Sequence, residues 1–241
     1  MYYYIQTYGC QMNEYDSERI ASVLESRNML PSALEDADIV ILNTCSVREK
    51  PQHKVESFIG TLRIAQKRSN KPSKIGIMGC VAQQVGEEFL KRFKCVDFVL
   101  GTDNLQQLPG VIDRVMNGER VCERSWNSGE FTIESFGRPK SLSASVTIMK
   151  GCNNFCSDCI VPYVRGREAS RSEAEILAEV KSLTESGTKE IILLGQNVNS
   201  YGNGTFPALL DRVAQINGIS RLRFVTSHPT DFSTALVEIM A

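Results

Sequence analysis

Long hydrophobic runs are missing from this sequence. No stretch approaches the roughly 18 consecutive apolar residues that a membrane-spanning helix needs, and the N-terminus, Met1-Tyr2-Tyr3-Tyr4, has neither the basic nor the apolar region of a secretory signal. A cytoplasmic protein without membrane attachment is therefore expected. Charge of one sign is missing too. Twenty-seven Lys and Arg stand against 28 Asp and Glu, a formal net charge of −1, which argues against a strongly electrostatic nucleic-acid binder while leaving local basic patches open. Histidine is scarce, with only His53 and His228, so a metal site built on imidazole would find few ligands. What is present is core and cysteine. The 42% hydrophobic residues and 17 glycines among 241 residues bring the apolar share to about half, which excludes a disordered or fibrous chain. Eight cysteines in a compartment that keeps thiols reduced point to metal ligation or catalysis rather than disulfides.

Short apolar runs alternate with amphipathic stretches of helical length in the first half, the pattern of a parallel sheet covered by helices. Strands are predicted at Tyr2 to Thr7, Asp38 to Asn43, Lys74 to Met78 and Val96 to Leu100. Helices are predicted over Glu14 to Asn28, Glu49 to Arg68, Ala82 to Phe93 and Leu105 to Asn117, from apolar residues at three- and four-residue spacing. This makes residues 1–118 an open α/β domain. Trp126-Asn127-Ser128-Gly129 and Gly137-Arg138-Pro139 show no sustained period, so 119–143 reads as a linker. A second domain follows over 144–241. Its strands are Ser145 to Met149, Glu190 to Leu194 and Arg221 to Val225, and its helices are Ser172 to Ser186, Phe206 to Ile216 and Asp231 onward. The chain stops at Met240-Ala241 inside a predicted helix, so the second domain is expected to be incomplete.

Cys10, Cys45 and Cys80 each fall just past a predicted strand, in Tyr8-Gly9-Cys10, Asn43-Thr44-Cys45 and Met78-Gly79-Cys80, at intervals of 35 residues. In a parallel sheet the carboxyl ends of the strands share one edge, where ligands bind and helix N-termini favour thiolate. Cys95 and Cys122 lack this placement and read as ordinary core residues. The three strand-end thiols suit either zinc with a fourth ligand or an iron-sulfur cluster with one iron free of protein. Cys152, Cys156 and Cys159 form a C-x3-C-x2-C loop after a predicted strand. Three thiolates leave one iron of a cubane open to substrate.

These residues resemble a known family. The C-x3-C-x2-C loop is similar to the signature of radical S-adenosylmethionine enzymes, and the preceding three-cysteine domain narrows the likeness to the methylthiotransferases. Tyr8 to Asn13, Asn43 to Arg48, Gly79 to Ala82 and Val161 to Glu168 match that family's motifs. Leu194-Gly195-Gln196-Asn197-Val198-Asn199-Ser200-Tyr201-Gly202 resembles the branch acting on isopentenylated adenosine next to the tRNA anticodon.

The resemblance implies an N-terminal open parallel α/β domain followed by the first half of a partial (β/α) barrel. It implies two [4Fe-4S] clusters. Cys152, Cys156 and Cys159 would hold the one that binds S-adenosylmethionine and yields a 5'-deoxyadenosyl radical. Cys10, Cys45 and Cys80 would hold an auxiliary cluster that delivers sulfur, so that a methylthio group reaches C2 of the adenine. It further implies tRNA as substrate, a one-electron donor such as flavodoxin, and a monomer. Within the same chemistry the alternative substrates are threonylcarbamoyladenosine and a ribosomal-protein aspartate; a non-catalytic cluster-binding module is the alternative of a different class. The chain departs from the family at Asp158, where an aromatic residue usually precedes the third cysteine, and it ends before the later barrel units and the small RNA-binding β-domain.

Gln196 and Asn197, at the end of the second barrel strand, are candidate S-adenosylmethionine contacts by family analogy and fold geometry, with an amide-rich turn as the structural alternative. Arg165, Arg167 and Arg171 could meet the cofactor carboxylate or RNA phosphates, or simply form a solvated helix entry. Arg165 is the cofactor candidate among them. His228 reads as structural.

Overall fold

The computed structural model describes residues 1–46, 49–68, 73–126, 131, 133, 136–138 and 140–241. Val47 and Arg48 of the segment behind Cys45, and Asn127, Ser128, Gly129 and Pro139 of the expected linker, lie outside the described residues. Two units form, the first Met1–Ser128 with Asp158–Arg165, the second Gly129–Ser157 with Gly166–Ala241.

The first unit contains β1 (Tyr2–Tyr8), α1 (Gln11–Glu25), β2 (Leu30–Pro31), β3 (Ile39–Thr44), α2 (Glu49–Arg68), β4 (Lys74–Gly79), α3 (Cys80–Val85), α4 (Glu87–Arg92), β5 (Phe98–Leu100), α5 (Leu108–Met116), β6 (Val121–Glu123) and the single turn α6 (Val161–Val164). Its strands make one parallel sheet in the order β2-β1-β3-β4-β5-β6. β3, Ile-Val-Ile-Leu-Asn-Thr, is buried along its whole length, as a central strand covered on both faces must be. Ile39 and Ile41 pack with Ile20 and Leu24 of α1 and Val111 and Val115 of α5. Val40 and Leu42 turn the other way, onto Val55, Ile59 and Leu62 of α2. Each such fully buried side chain contributes about 1.5–3 kcal/mol relative to exposure.

Besides the short β2 and α6, which no pattern foretold, two details differ from the sequence expectation. The single helix expected over Ala82 to Phe93 is two helices, parted at Gly86 with φ +55. β6 lies inside the stretch read as linker and pairs with β5; three residues are too few to display a period of two.

The second unit contains β7 (Ser143–Thr147), β8 (Met149–Lys150), β9 (Ala169–Ser170), α7 (Glu173–Glu185), β10 (Glu190–Leu194), the short α8 (Tyr201–Gly204), α9 (Phe206–Ala214), β11 (Arg221–Val225) and α10 (Thr234–Met240). β10 pairs in parallel with both β7 and β11. Ile176 and Val180 of α7 and Leu209 and Val213 of α9 cover Val146, Ile191 and Leu193. α7 starts at Glu173 because the Ser172 hydroxyl accepts from the Glu175 amide, an N-cap. The strand expected over Ser145 to Met149 divides. β7 stays in the sheet, whereas Met149 and Lys150 peel away to pair antiparallel with Ser170 and Ala169. No helix among the described residues is long and apolar enough to cross a membrane.

Candidate metal centres

Register assembles the first centre. Tyr8 is paired with Thr44, and Thr44 with Gly79, so the chain leaves β1, β3 and β4 side by side at strand spacings of about 4.8 Å. Cys45 and Cys80 are the next residues, and Cys10 follows two after Tyr8 as the N-cap of α1. Gly79 makes the turn into Cys80 possible. Its φ is +89, and a Cβ there would collide with the Thr44 carbonyl and the Asn43 side chain.

A buried amide network fixes the edge. Asn13 Nδ2 donates to Asn43 Oδ1 at 3.1 Å and to the Thr44 carbonyl at 3.0 Å, while Asn43 Nδ2 donates to the Asn13 carbonyl at 2.7 Å. Asn13 Oδ1 accepts from the Cys10 amide and thiol, each at 3.4 Å. Thr44 Oγ1 donates to the Met78 carbonyl at 2.6 Å. Each loop that carries a cysteine, or leads into one, is thereby tied to its neighbour.

Arg165, from the segment of the first unit that follows Cys159, reaches the same edge. Its Nη1 donates to Asp16 Oδ2 at 2.8 Å and its Nε to Cys80 Sγ at 3.2 Å. The residue is 7% exposed, and its Nη2 is buried without a hydrogen-bond partner. Thr102 Oγ1 holds the turn before it by donating to the Val164 carbonyl at 2.7 Å. Burial works against the guanidinium charge, but Asp16 and the neighbouring thiols outweigh it and raise its pKa.

Cys45 hydrogen-bonds both other thiols and, with help from Arg165, lowers Cys10 to about 6 and Cys80 to about 6 against the opposing effect of burial. Cys95 and Cys122 go the other way, pushed up chiefly by desolvation. Cys10 and Cys80 are thus prepared as thiolates, the form that ligates metal.

In the second unit, Gly151 introduces the other cysteine loop with φ +71, and a Cβ there would strike the Gly166 and Arg167 carbonyls. The Cys152 amide donates to the Gly166 carbonyl at 3.2 Å. The Arg167 guanidinium stacks over Phe155 at 4.4 Å. Cys156 Sγ lies 3.4 Å from His228 Nε2, and His228 Nδ1 is 2.7 Å from Thr230 Oγ1. Cys152 is buried and Cys156 exposed. Cys159, only partly exposed, groups with the first unit.

The expected cofactor residues part ways. Asn197 braces the loop after β11, accepting from the His228 amide at 3.0 Å and donating to Asp231 at 2.6 Å. Gln196 Oε1 is buried without a hydrogen-bond partner, as an acceptor reserved for a ligand would be. Arg165 engages Asp16 and Cys80, as described, while Arg171 is buried against the Thr147 carbonyl and Glu179 rather than solvated. Glu168 has its carboxyl pKa raised, mainly by burial, with Ser200 opposing and Asp231 adding to the rise. Sequence reasoning missed Asp16 and Asp231, which no local pattern marks, and it gave no role to Asn13 or Asn43, although both stand in the cysteine motifs.

Among the described residues no three His, Cys, Asp or Glu side chains already form the tight shell that a single ion needs. A cubane takes one thiolate per iron and spreads its ligands wider than a lone ion does. Three thiols gathered at one sheet edge with an orphaned buried N–H beside Cys80 fit such a group at the first centre, and the C-x3-C-x2-C donor set fits one at the second.

Comparison with known proteins agrees. Residues 2–101 match the uncharacterized protein family UPF0004, and residues 146–241 match the radical SAM superfamily. The chain is 48% identical over 250 aligned residues to the tRNA-2-methylthio-N(6)-dimethylallyladenosine synthase of Carboxydothermus hydrogenoformans, with 99% of this chain and 56% of that protein covered. It is 45% identical to the synthase of the same name from Geobacter sulfurreducens, with 100% and 56% covered. The chain therefore spans a little over half the length of these relatives. Among solved structures, the radical S-adenosylmethionine methyltransferase TsrM of Kitasatospora setae, bound to cobalamin and a [4Fe-4S] cluster, aligns with a TM-score of 0.65 at 13% identity, over 99% of this chain and 56% of that one. That likeness is one of fold. On sequence, the chain belongs to the radical S-adenosylmethionine methylthiotransferase family.

Proposed function

We propose that the protein is a tRNA methylthiotransferase that installs a methylthio group at C2 of N6-isopentenyladenosine next to the anticodon. The observation that carries this reading is the set of three thiols at the ends of β1, β3 and β4, joined in one chain to a C-x3-C-x2-C loop. Cys10, Cys45 and Cys80 would hold an auxiliary [4Fe-4S] cluster, and Cys152, Cys156 and Cys159 a second one that takes S-adenosylmethionine. When bound, these groups supply the one-electron and radical chemistry that an adenine C2–H bond requires, since it offers no acidic proton to an ordinary base.

The chain's own residues bind and orient. The Asn13–Asn43 pair holds the loops of the first centre in place. Gln196 presents a free buried acceptor at the carboxyl end of β10, where it would meet S-adenosylmethionine, and Asn197 contributes there by bracing the loop of His228. Arg165, expected among the S-adenosylmethionine contacts, is assigned in this reading to the first centre, on its bonds to Asp16 and Cys80. The reading carries with it a cytoplasmic setting, a one-electron donor such as flavodoxin, and a monomeric enzyme.

The test is anaerobic reconstitution followed by incubation with S-adenosylmethionine, a reductant and an isopentenylated anticodon stem-loop. Methylthio-adenosine by nucleoside mass spectrometry is expected. Iron and sulfide should come to about eight irons per chain, falling to about four when either trio is replaced by alanine. Deoxyadenosine release without the modified nucleoside would refute the substrate, and about four irons in the unaltered chain would refute the auxiliary cluster.

A further inference from the structure

We propose that Arg165 is a positioning residue of the first centre, one that hydrogen-bonds the Cys80 sulfur from a fixed orientation and makes the cluster held there easier to reduce. The inference rests on the reading of Cys10, Cys45 and Cys80 as cluster ligands. Three observations support it. The guanidinium is almost wholly buried, so its charge acts on the thiols with little screening by water. Its planar fork is held at two points, Nη1 on Asp16 at 2.8 Å and Nε on Cys80 Sγ at 3.2 Å, a geometry that a lysine ammonium cannot copy. Nη2 is left buried and unpartnered, although an orphaned donor is costly unless something accepts from it.

A purely structural ion pair would need neither the bond to sulfur nor the spare donor. Hydrogen bonds to the sulfurs and nearby charge are among the determinants of a cluster's potential. A cation and an N–H···S bond favour the more negative, reduced state, so the potential rises. Asp16 opposes this only in part, because the guanidinium and not the carboxylate is hydrogen-bonded to Cys80.

The experiment uses the full chain carrying Cys152→Ala, Cys156→Ala and Cys159→Ala, so that only the first centre gives a signal, reconstituted anaerobically and titrated with dithionite under electron paramagnetic resonance. Arg165→Gln, Arg165→Lys and the double variant Arg165→Leu/Asp16→Leu are compared with that parent. Each is expected to retain about four irons while its midpoint potential shifts to more negative values, least in the lysine variant, which keeps the charge. The double variant leaves no unpaired buried charge, so it still decides the matter if Arg165→Gln does not fold. Loaded variants with the parent's potential would overturn the role of Arg165. A parent that takes up no iron would instead overturn the cluster reading, a distinct result.

Discussion

Replacing Asn13 with leucine removes the polar network at the sheet edge while keeping the branching and the number of side-chain heavy atoms. Asn13 is fully buried, and Asn13→Leu deletes the bonds to Asn43 Oδ1 at 3.1 Å and to the Thr44 carbonyl at 3.0 Å. Two neutral bonds are worth about 1 kcal/mol each, and a buried acceptor left unpaired costs about 1–3 kcal/mol. Leucine's better helix propensity returns only about 0.5 kcal/mol. The expected loss is about 3 kcal/mol, roughly a hundredfold in the folding equilibrium. In urea unfolding of the cluster-free chain followed by circular dichroism, the midpoint should fall by about 1–2 M with the slope unchanged. Iron uptake by the first centre should fall with it, since Asn13 Oδ1 also accepts from the Cys10 amide and thiol. A midpoint within about 0.3 M of the parent, with full iron uptake, would show that the network holds neither the edge nor Cys10.

Asp16→Ala leaves the Arg165 charge buried without its carboxylate and should cost about 3–5 kcal/mol in the same assay, most of it recovered when Arg165 is also made leucine; additive losses would sink the argument. Gly79→Ala forces an L side chain to φ +89 against the Thr44 carbonyl, a strain of about 1–3 kcal/mol, and should lower both stability and first-centre iron. In the cluster-free chain the thiolate, not the thiol, is alkylated. With Cys10 lowered to about 6 by Cys45 and Cys95 raised by desolvation, Cys10 should react with iodoacetamide at nearly its full rate at pH 7, while Cys95 still accelerates above pH 9. Peptide mass spectrometry across pH reads both rates, and equal rates at pH 7 would contradict the assignment.

The strand ends were legible because a buried parallel strand announces itself as a continuous apolar run, and Ile39 to Leu42 is one. With the strands in place, the convergence of Cys10, Cys45 and Cys80 follows from topology alone. The environment of Arg165 was not legible: its partners Asp16 and Cys80 lie 149 and 85 residues away, and no periodic pattern links residues across such distances. For Arg165 the sequence offered the cofactor carboxylate, RNA phosphates or solvent, whereas tertiary packing made it a buried donor to Asp16 and Cys80. Asn197 illustrates a different limit. An amide at a strand end can face a ligand, brace a loop or do both, and only the positions of the His228 amide and Asp231 reveal the bracing.

The pairing of Thr44 with Gly79 also determines which insertions the chain can absorb. The equal intervals of 35 residues are not what the site measures. A whole extra turn in α2 would lengthen the crossover and leave Cys45 and Cys80 where they are, because the crossover begins and ends at fixed rungs of the ladder. One residue added within β4 would instead turn every following side chain to the opposite face of the sheet and carry Cys80 away from its partners. Tolerance to length change should therefore be high in the crossover helix and absent in the strands, and sequence distance between the cysteines is free to drift as long as strand register is not.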